Sequence, residues 1–275
     1  MDRRMRQAGF TLTEAVMVIA ITGILASMVA VFIQGPVQGY FDTTRRAQLA
    51  DTADTALRRI GRDLQAALPN SVRVTGSCAT SCFLEFVPVV AGGRYRAELT
   101  DTGGGDPLDF TAADTSFDLI GPAVTLPTGP LWVVIYNLGI PGADVYSGAG
   151  GVIHVSRVYS GAAGAVTNIA ITSAQRYPFD SPSRRFQIVE QPVTYECATA
   201  AGELRRYGGY GFISPQATPP GVAPALLANN VTDCSFTYTA QEVAKRAGLV
   251  SMTLRLTSGG ETISLFTQAH VSNVP

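Results

Sequence analysis

The sequence predicts an α+β fold in which one long, membrane-anchored N-terminal helix packs on a globular domain of antiparallel β-sheet. Three observations carry this expectation. No charged residue occurs from Ala15 to Phe41, a run long enough to cross a hydrocarbon core, which takes about 20 apolar residues in helix. An apolar stripe then recurs every three or four residues through Leu49, Ala53, Leu57, Ile60, Leu64 and Leu68, as on one face of a helix. After Pro69 the pattern changes to short apolar runs between turn residues, and with 28 Gly, 16 Pro and only 15% charged residues this remainder reads as loop-rich β structure.

The N-terminal segment, residues 1–9, holds Arg3, Arg4 and Arg6 against a single acid, Asp2. A basic flank before an apolar span stays in the cytoplasm, so everything after the span is expected outside the inner membrane. An ordinary secretory signal would be cut after its apolar region at small residues. Ala26 and Ala30 are preceded at the minus-three position by Ile24 and Met28, both too bulky for that cleavage. A plain signal anchor needs nothing beyond the span and its flank. Glu14 separates the readings. Thr11-Leu12-Thr13-Glu14 fits a capping box, and an acid in the first turn suits the helix dipole. An ionised group in lipid is costly unless paired, however, and so calls for a cationic partner.

The helix is expected over residues 10–68, with about residues 14–36 in the membrane. Acid precedes base by four residues in Asp42 with Arg46 and in Asp54 with Arg58, the favourable order on an exposed face. Pro69 ends the helix by pushing its predecessor out of the α region. Gly35, Pro36 and Gly39 predict a kink or a short unwound stretch at the membrane exit. Residues 69–275 form the β-rich domain, with strands expected over Phe83–Val90, Leu131–Tyr136, Val152–Tyr159, Phe186–Cys197, Cys234–Thr239, Leu249–Thr257 and Thr262–His270. No internal repeat is present.

Four cysteines, Cys78, Cys82, Cys197 and Cys234, fall in the exported region. An oxidising compartment favours disulfides. Zinc would need imidazoles at ligand spacing, and neither His154 nor His270 stands so. Sequence alone leaves three connectivities open; we expect Cys78 with Cys82 and Cys197 with Cys234. Asp101, Asp106 and Asp109 are candidate oxygen ligands for calcium, without EF-hand spacing. Asp101-Thr102-Gly103 has the form of an aspartic protease signature but lacks the second copy that such a site needs. No catalytic set is expected, and no other cofactor. Charge is balanced, at 20 Lys plus Arg against 21 Asp plus Glu, and the pairs Arg58-Arg59, Arg184-Arg185 and Arg205-Arg206 are scattered. A nucleic-acid partner is therefore not expected.

Gly9-Phe10-Thr11-Leu12-Thr13-Glu14 resembles the class III signal of type IV prepilins and type II secretion pseudopilins. The resemblance implies cleavage between Gly9 and Phe10 by a prepilin peptidase, which also methylates the new Phe10 amine. It further implies that Glu14, fifth in the mature chain, meets the N-terminal amine of a neighbouring subunit. Gln191-Pro192-Val193-Thr194-Tyr195-Glu196-Cys197, Leu204-Arg205-Arg206-Tyr207-Gly208-Gly209-Tyr210, Leu226-Leu227-Ala228-Asn229-Asn230-Val231 and the ending Gln268 to Pro275 resemble the O-type minor pilins of mannose-sensitive haemagglutinin pili. The chain is more distantly similar to the J-type pseudopilin of type II secretion, whereas K-type pseudopilins usually lack an acid at the position of Glu14. What these resemblances imply is a minor pilin that initiates or caps a filament, or a tip adhesin. Its partners would be the prepilin peptidase, other minor and major pilins and the inner-membrane assembly platform, and its destination the pilus tip or cell surface.

Overall fold

The computed structural model describes residues 10–147, 155–172, 176–240 and 247–275. The chain divides into two compact units, one ending at Gln48 and the other spanning Leu49–Pro275. Helix α1, Leu12–Gln65, contributes to both.

In the first unit the helix runs through Pro36 without an unwound stretch, one of the two outcomes expected at Gly35, Pro36 and Gly39. A proline removes one backbone donor, and the flanking turns keep their own bonds. Hydroxyls bond back to the helix, Thr22 Oγ1 to the Val18 carbonyl at 2.6 Å and Ser27 Oγ to that of Ile24 at 2.8 Å. Such hydroxyls need no water. Asp42 meets Arg45 at 3.4 Å.

In the second unit the stripe becomes core, with Leu49, Ala53, Ala56, Leu57, Ile60 and Leu64 buried, while Asp54 pairs with Arg58 at 2.7 Å on the outer face. The helix ends at Gln65 rather than Leu68. Ala66 and Ala67 donate three residues back, to Asp63 and Leu64, the tightening common in a last turn. The chain is then captured by a strand region: the Leu68 N–H donates to the Val87 carbonyl, and the Val89 N–H to that of Ala66, each at 2.7 Å.

Sixteen strands follow among the described residues: β1 Arg73–Ser77, β2 Ser81–Phe86, β3 Val89–Tyr95, β4 Ser116–Ile120, β5 Val124–Leu126, β6 Trp132–Val134, β7 Ser156–Tyr159 and β8 Gly164–Val166. The chain continues through β9 Asn168–Thr172, β10 Arg185–Val189, β11 Val193–Ala198, β12 Glu203–Gly208, β13 Ala225–Ala228, β14 Val231–Ala240, β15 Ala247–Ser258 and β16 Glu261–Ser272. All their pairings are antiparallel. The antiparallel β domain expected is thus present, divided among several sheets. β1-β2-β11-β12-β13 make a five-stranded sheet, β14-β15-β16 a three-stranded one, β5 and β8 a pair, and β10-β3-β4-β9-β7-β6 a closed barrel.

Two expected strands each prove to be two. Phe83–Val90 breaks at Pro88 into β2 and β3, and Phe186–Cys197 breaks at Pro192 into β10 and β11, since proline has no N–H for a ladder. Residues 152–154 of the expected Val152–Tyr159 strand, and with them His154, lie outside the described residues; β7 covers the remainder.

The helix stripe, the inner faces of the five- and three-stranded sheets and Cys82, Cys197 and Cys234 form one apolar cluster. The alternation at Met252-Thr253-Leu254-Arg255-Leu256 does what its period requires: Val250, Met252, Leu254 and Leu256 point into this core. A separate cluster around Tyr95, Phe117, Ile169 and Phe186 fills the barrel.

Candidate functional site

The N-terminal candidate is built by a helix start. Glu14 N–H donates to Thr11 Oγ1 at 3.4 Å, Thr11 Oγ1 in turn donates to Glu14 Oε2 at 3.4 Å, and the Ala15 N–H closes the first turn on the Thr11 carbonyl at 3.1 Å. This is loose capping-box geometry. It leaves the carboxylate exposed, with Thr11 as its hydrogen-bond partner among the described residues. Phe10, 77% exposed, precedes it directly. Gly9 and the rest of the basic leader lie outside the described residues.

Beyond Glu14 the helix presents Val16, Met17, Ile19, Ile24, Leu25, Met28, Val31, Phe32 and Ile33, each more than half exposed. An all-round apolar surface of this kind is stable only in hydrocarbon or against neighbouring helices. Among the described residues α1 is the one helix long and apolar enough to cross a membrane.

The structure pairs Cys78 with Cys82 and Cys197 with Cys234, with Cα separations of 4.6 and 5.9 Å. The first closes the turn between β1 and β2. The second joins β11 of the five-stranded sheet to β14 of the three-stranded sheet. His270 lies exposed on β16.

Asp101, Asp106 and Asp109 do not gather. Asp109 Oδ1 accepts from the N–H and Oγ1 of Thr111, both at 2.6 Å, which holds its carboxyl below the usual range. Asp106 Oδ2 accepts from Ser116 Oγ at 2.6 Å and Asn168 Nδ2 at 3.1 Å. Asp118 accepts from the same amide and from the Asp106 N–H, and these bonds, with Arg96 nearby, lower its carboxyl too. Among the described residues no group of three or more His, Cys, Asp or Glu is placed to hold a metal. The carboxylates order loops instead.

A polar seam on the five-stranded sheet escaped the sequence reading. Glu85 of β2 is fully buried and takes Arg73 Nη2 at 2.6 Å and Thr194 Oγ1 at 3.2 Å. Arg73 also donates to the Ile213 carbonyl at 2.7 Å and lies 3.6 Å from the centre of the Tyr146 ring. Burial drives the Glu85 carboxyl up more strongly than Arg73 pulls it down. One strand over, Glu196 accepts from Ser81 Oγ at 2.6 Å and Tyr207 OH at 2.5 Å. The available signal was a single acid inside each apolar run, Phe83-Leu84-Glu85-Phe86 and Val193-Thr194-Tyr195-Glu196-Cys197. An acid there is either on a wet face or paired in a dry one, and only the fold decides.

An open cleft of about 460 Å³ lies where Thr128–Leu131, Glu190 and Gln191 face Arg206, Gly208 and Gly209, with Arg206 and Glu190 as its charged walls.

Residues 4–30 match the prokaryotic N-terminal methylation motif. No curated protein and no solved structure matches the chain. The motif is the substrate signal of prepilin peptidases, and it marks a type IV pilin- or pseudopilin-like protein. With α1 it indicates a membrane-anchored chain.

Proposed function

We propose that this chain is a minor pilin of a type IV pilus of the mannose-sensitive haemagglutinin kind, acting in biogenesis as an assembly-initiating or tip subunit. The observation that carries the reading is the continuity of the methylation motif with α1: Phe10 and Glu14 open a helix whose next seven turns are apolar, uncharged and unburied. In this reading the chain is cut between Gly9 and Phe10 and methylated on Phe10. About residues 14–36 then hold it in the inner membrane, with residues 69–275 in the periplasm. Glu14 is shared with the Phe10 amine of an adjacent subunit, a pairing that offsets the cost of an ionised group in lipid. A minor position fits the bulk of residues 69–275, which is hard to repeat along a tightly packed shaft but unconstrained at a tip.

The test is deletion of the gene followed by counting surface pili. Loss of pili is expected. Normal pili with lost attachment would make the chain a tip adhesin, and normal pili with impaired secretion would make it a J-type pseudopilin.

A further inference from the structure

β16 is the outer strand of the β14-β15-β16 sheet, and among the described residues no strand lies beside its free edge. Its twelve residues pair with β15 from Glu261↔Ser258 to Ser272↔Ala247 without a register shift, whereas β14 has one between Val231 and Asp233. A long regular edge is a template for another strand, and proteins blunt such edges with lysine, proline, bulges or short length. β16 uses none of these: it has neither Lys nor Pro, and its ionisable side chains are Glu261 and His270.

The side chains of β16 divide cleanly. Thr262, Ser264, Phe266, Gln268, His270 and Ser272 are exposed, and Ile263, Leu265, Thr267, Ala269 and Val271 face inward. Ile263 and Leu265 pack against the core but are only partly buried, so the sheet ends before it has covered them. Phe266 is 64% exposed. Its cross-strand neighbour is Thr253, which is followed in the same row by Ser235, and Gln268 beside it donates to Ser251 Oγ at 3.1 Å. Among the described residues the Phe266 ring thus stands in a row of hydroxyls and an amide.

We propose that β16 pairs antiparallel with β16 of a second copy of this chain, about a two-fold axis through Phe266, to make one continuous six-stranded sheet. The occupant follows from the strand's own pattern. In an antiparallel pair, opposed residues share a face, so only registers that set odd against odd and even against even keep apolar groups inward. The register centred on Phe266 puts Phe266 opposite its own copy, Ser264 opposite Gln268 and Thr262 opposite His270 on the outer face. On the inner face it puts Leu265 opposite Thr267 and Ile263 opposite Ala269. It engages Glu261 through Val271, sets no like charges against each other, and supplies neighbours to Phe266, Ile263 and Leu265 together. Shifting the centre to Leu265 or Thr267 sets Phe266 against Ser264 or Gln268, and the aromatic pair is lost. The interface is isologous, and the sheet closes its edge on itself. This inference concerns self-association and stands whether or not the filament role holds.

Cysteine cross-linking of the full chain in detergent tests it, since the four native cysteines are already paired. On mild oxidation Phe266→Cys is expected to form a covalent dimer. Ser264→Cys and Gln268→Cys are expected to remain monomeric alone and to cross-link when mixed. In light scattering, Phe266→Lys is expected to weaken dimerisation at least about tenfold while keeping the wild-type circular dichroism spectrum, and to melt as the wild type does once that is diluted to monomer. Equal cross-linking by all single variants would mean random collision. A dimer unaffected by Phe266→Lys would place the contact elsewhere, in α1 for example. A Phe266→Cys chain that cross-links in cells to a different protein would give the edge to a heterologous strand. Each of these overturns the proposal.

Discussion

The Tyr195 hydroxyl donates to Asp63 Oδ2 at 2.5 Å, tying the middle of β11 to the last turns of α1. Arg206 Nε lies 3.5 Å from the same oxygen, and its guanidinium 5.9 Å from the Tyr195 ring centre. Burial first, and the carboxylate second, push the phenol well up, so it remains a donor. Tyr195→Phe keeps the ring packing and removes one bond to a charged acceptor, a change worth about 1.5–3 kcal/mol. Denaturant unfolding of the full chain in detergent should show a loss of that size. An unchanged midpoint would mean that apolar contacts alone hold the helix.

Glu85 sets a pH dependence. Burial raises its carboxyl in the folded state, so the folded chain binds that proton more tightly than the unfolded one. Its contribution is therefore full below the unfolded value and is lost as pH rises through the folded one. Glu85→Gln has no such proton. The stability of the wild type relative to this variant should fall as pH rises above the ordinary glutamate value of about 4, as read from paired melting temperatures. A difference that grew with pH would show that Arg73 outweighs burial.

The two disulfides should differ in weight. Cys197 and Cys234 are 37 residues apart, and Cys78 and Cys82 only 4. Loop-closure entropy then assigns about 4 kcal/mol to the first and about 2 kcal/mol to the second. Replacing each pair by serine and measuring unfolding free energies gives the order. A larger loss from the Cys78–Cys82 pair would mean that the short loop does more than restrict the unfolded chain.

At the N-terminus, changing Gly9 to a bulky residue should leave the leader attached, which intact-mass spectrometry reads directly. Glu14→Gln retains much of the bonding to Thr11 and should be cleaved and inserted normally. Its recovery of other pilin subunits from detergent should drop several-fold. Undiminished recovery with normal piliation would confine Glu14 to capping its own helix.

What the sequence made legible was local. The uncharged run and the stripe from Leu49 to Leu64 specify α1 because their period lies within a single element, and Met252 to Leu256 specify β15 for the same reason. The barrel was not legible. Its strands β6 and β7 are only three and four residues long, too short for a period to register, and pairings such as Phe117↔Ile169 and Gln187↔Val134 join distant segments. Pro88 and Pro192 did announce their strand breaks, and the apolar runs around them masked it. At the candidate site, Phe10 and Glu14 follow from a short motif. The Glu85 seam depends on Tyr146 and Ile213 arriving from loops far along the chain, which no local pattern encodes.

The Cys197–Cys234 bond has a mechanical meaning. It links the two sheets whose inner faces share one core with Leu49 to Leu64. A tensile load applied along this part of α1 cannot prise the sheets apart at β11 and β14 without rupturing a covalent bond. Failure must instead come by sliding the helix past its apolar neighbours, which shears many contacts at once rather than unzipping them in turn.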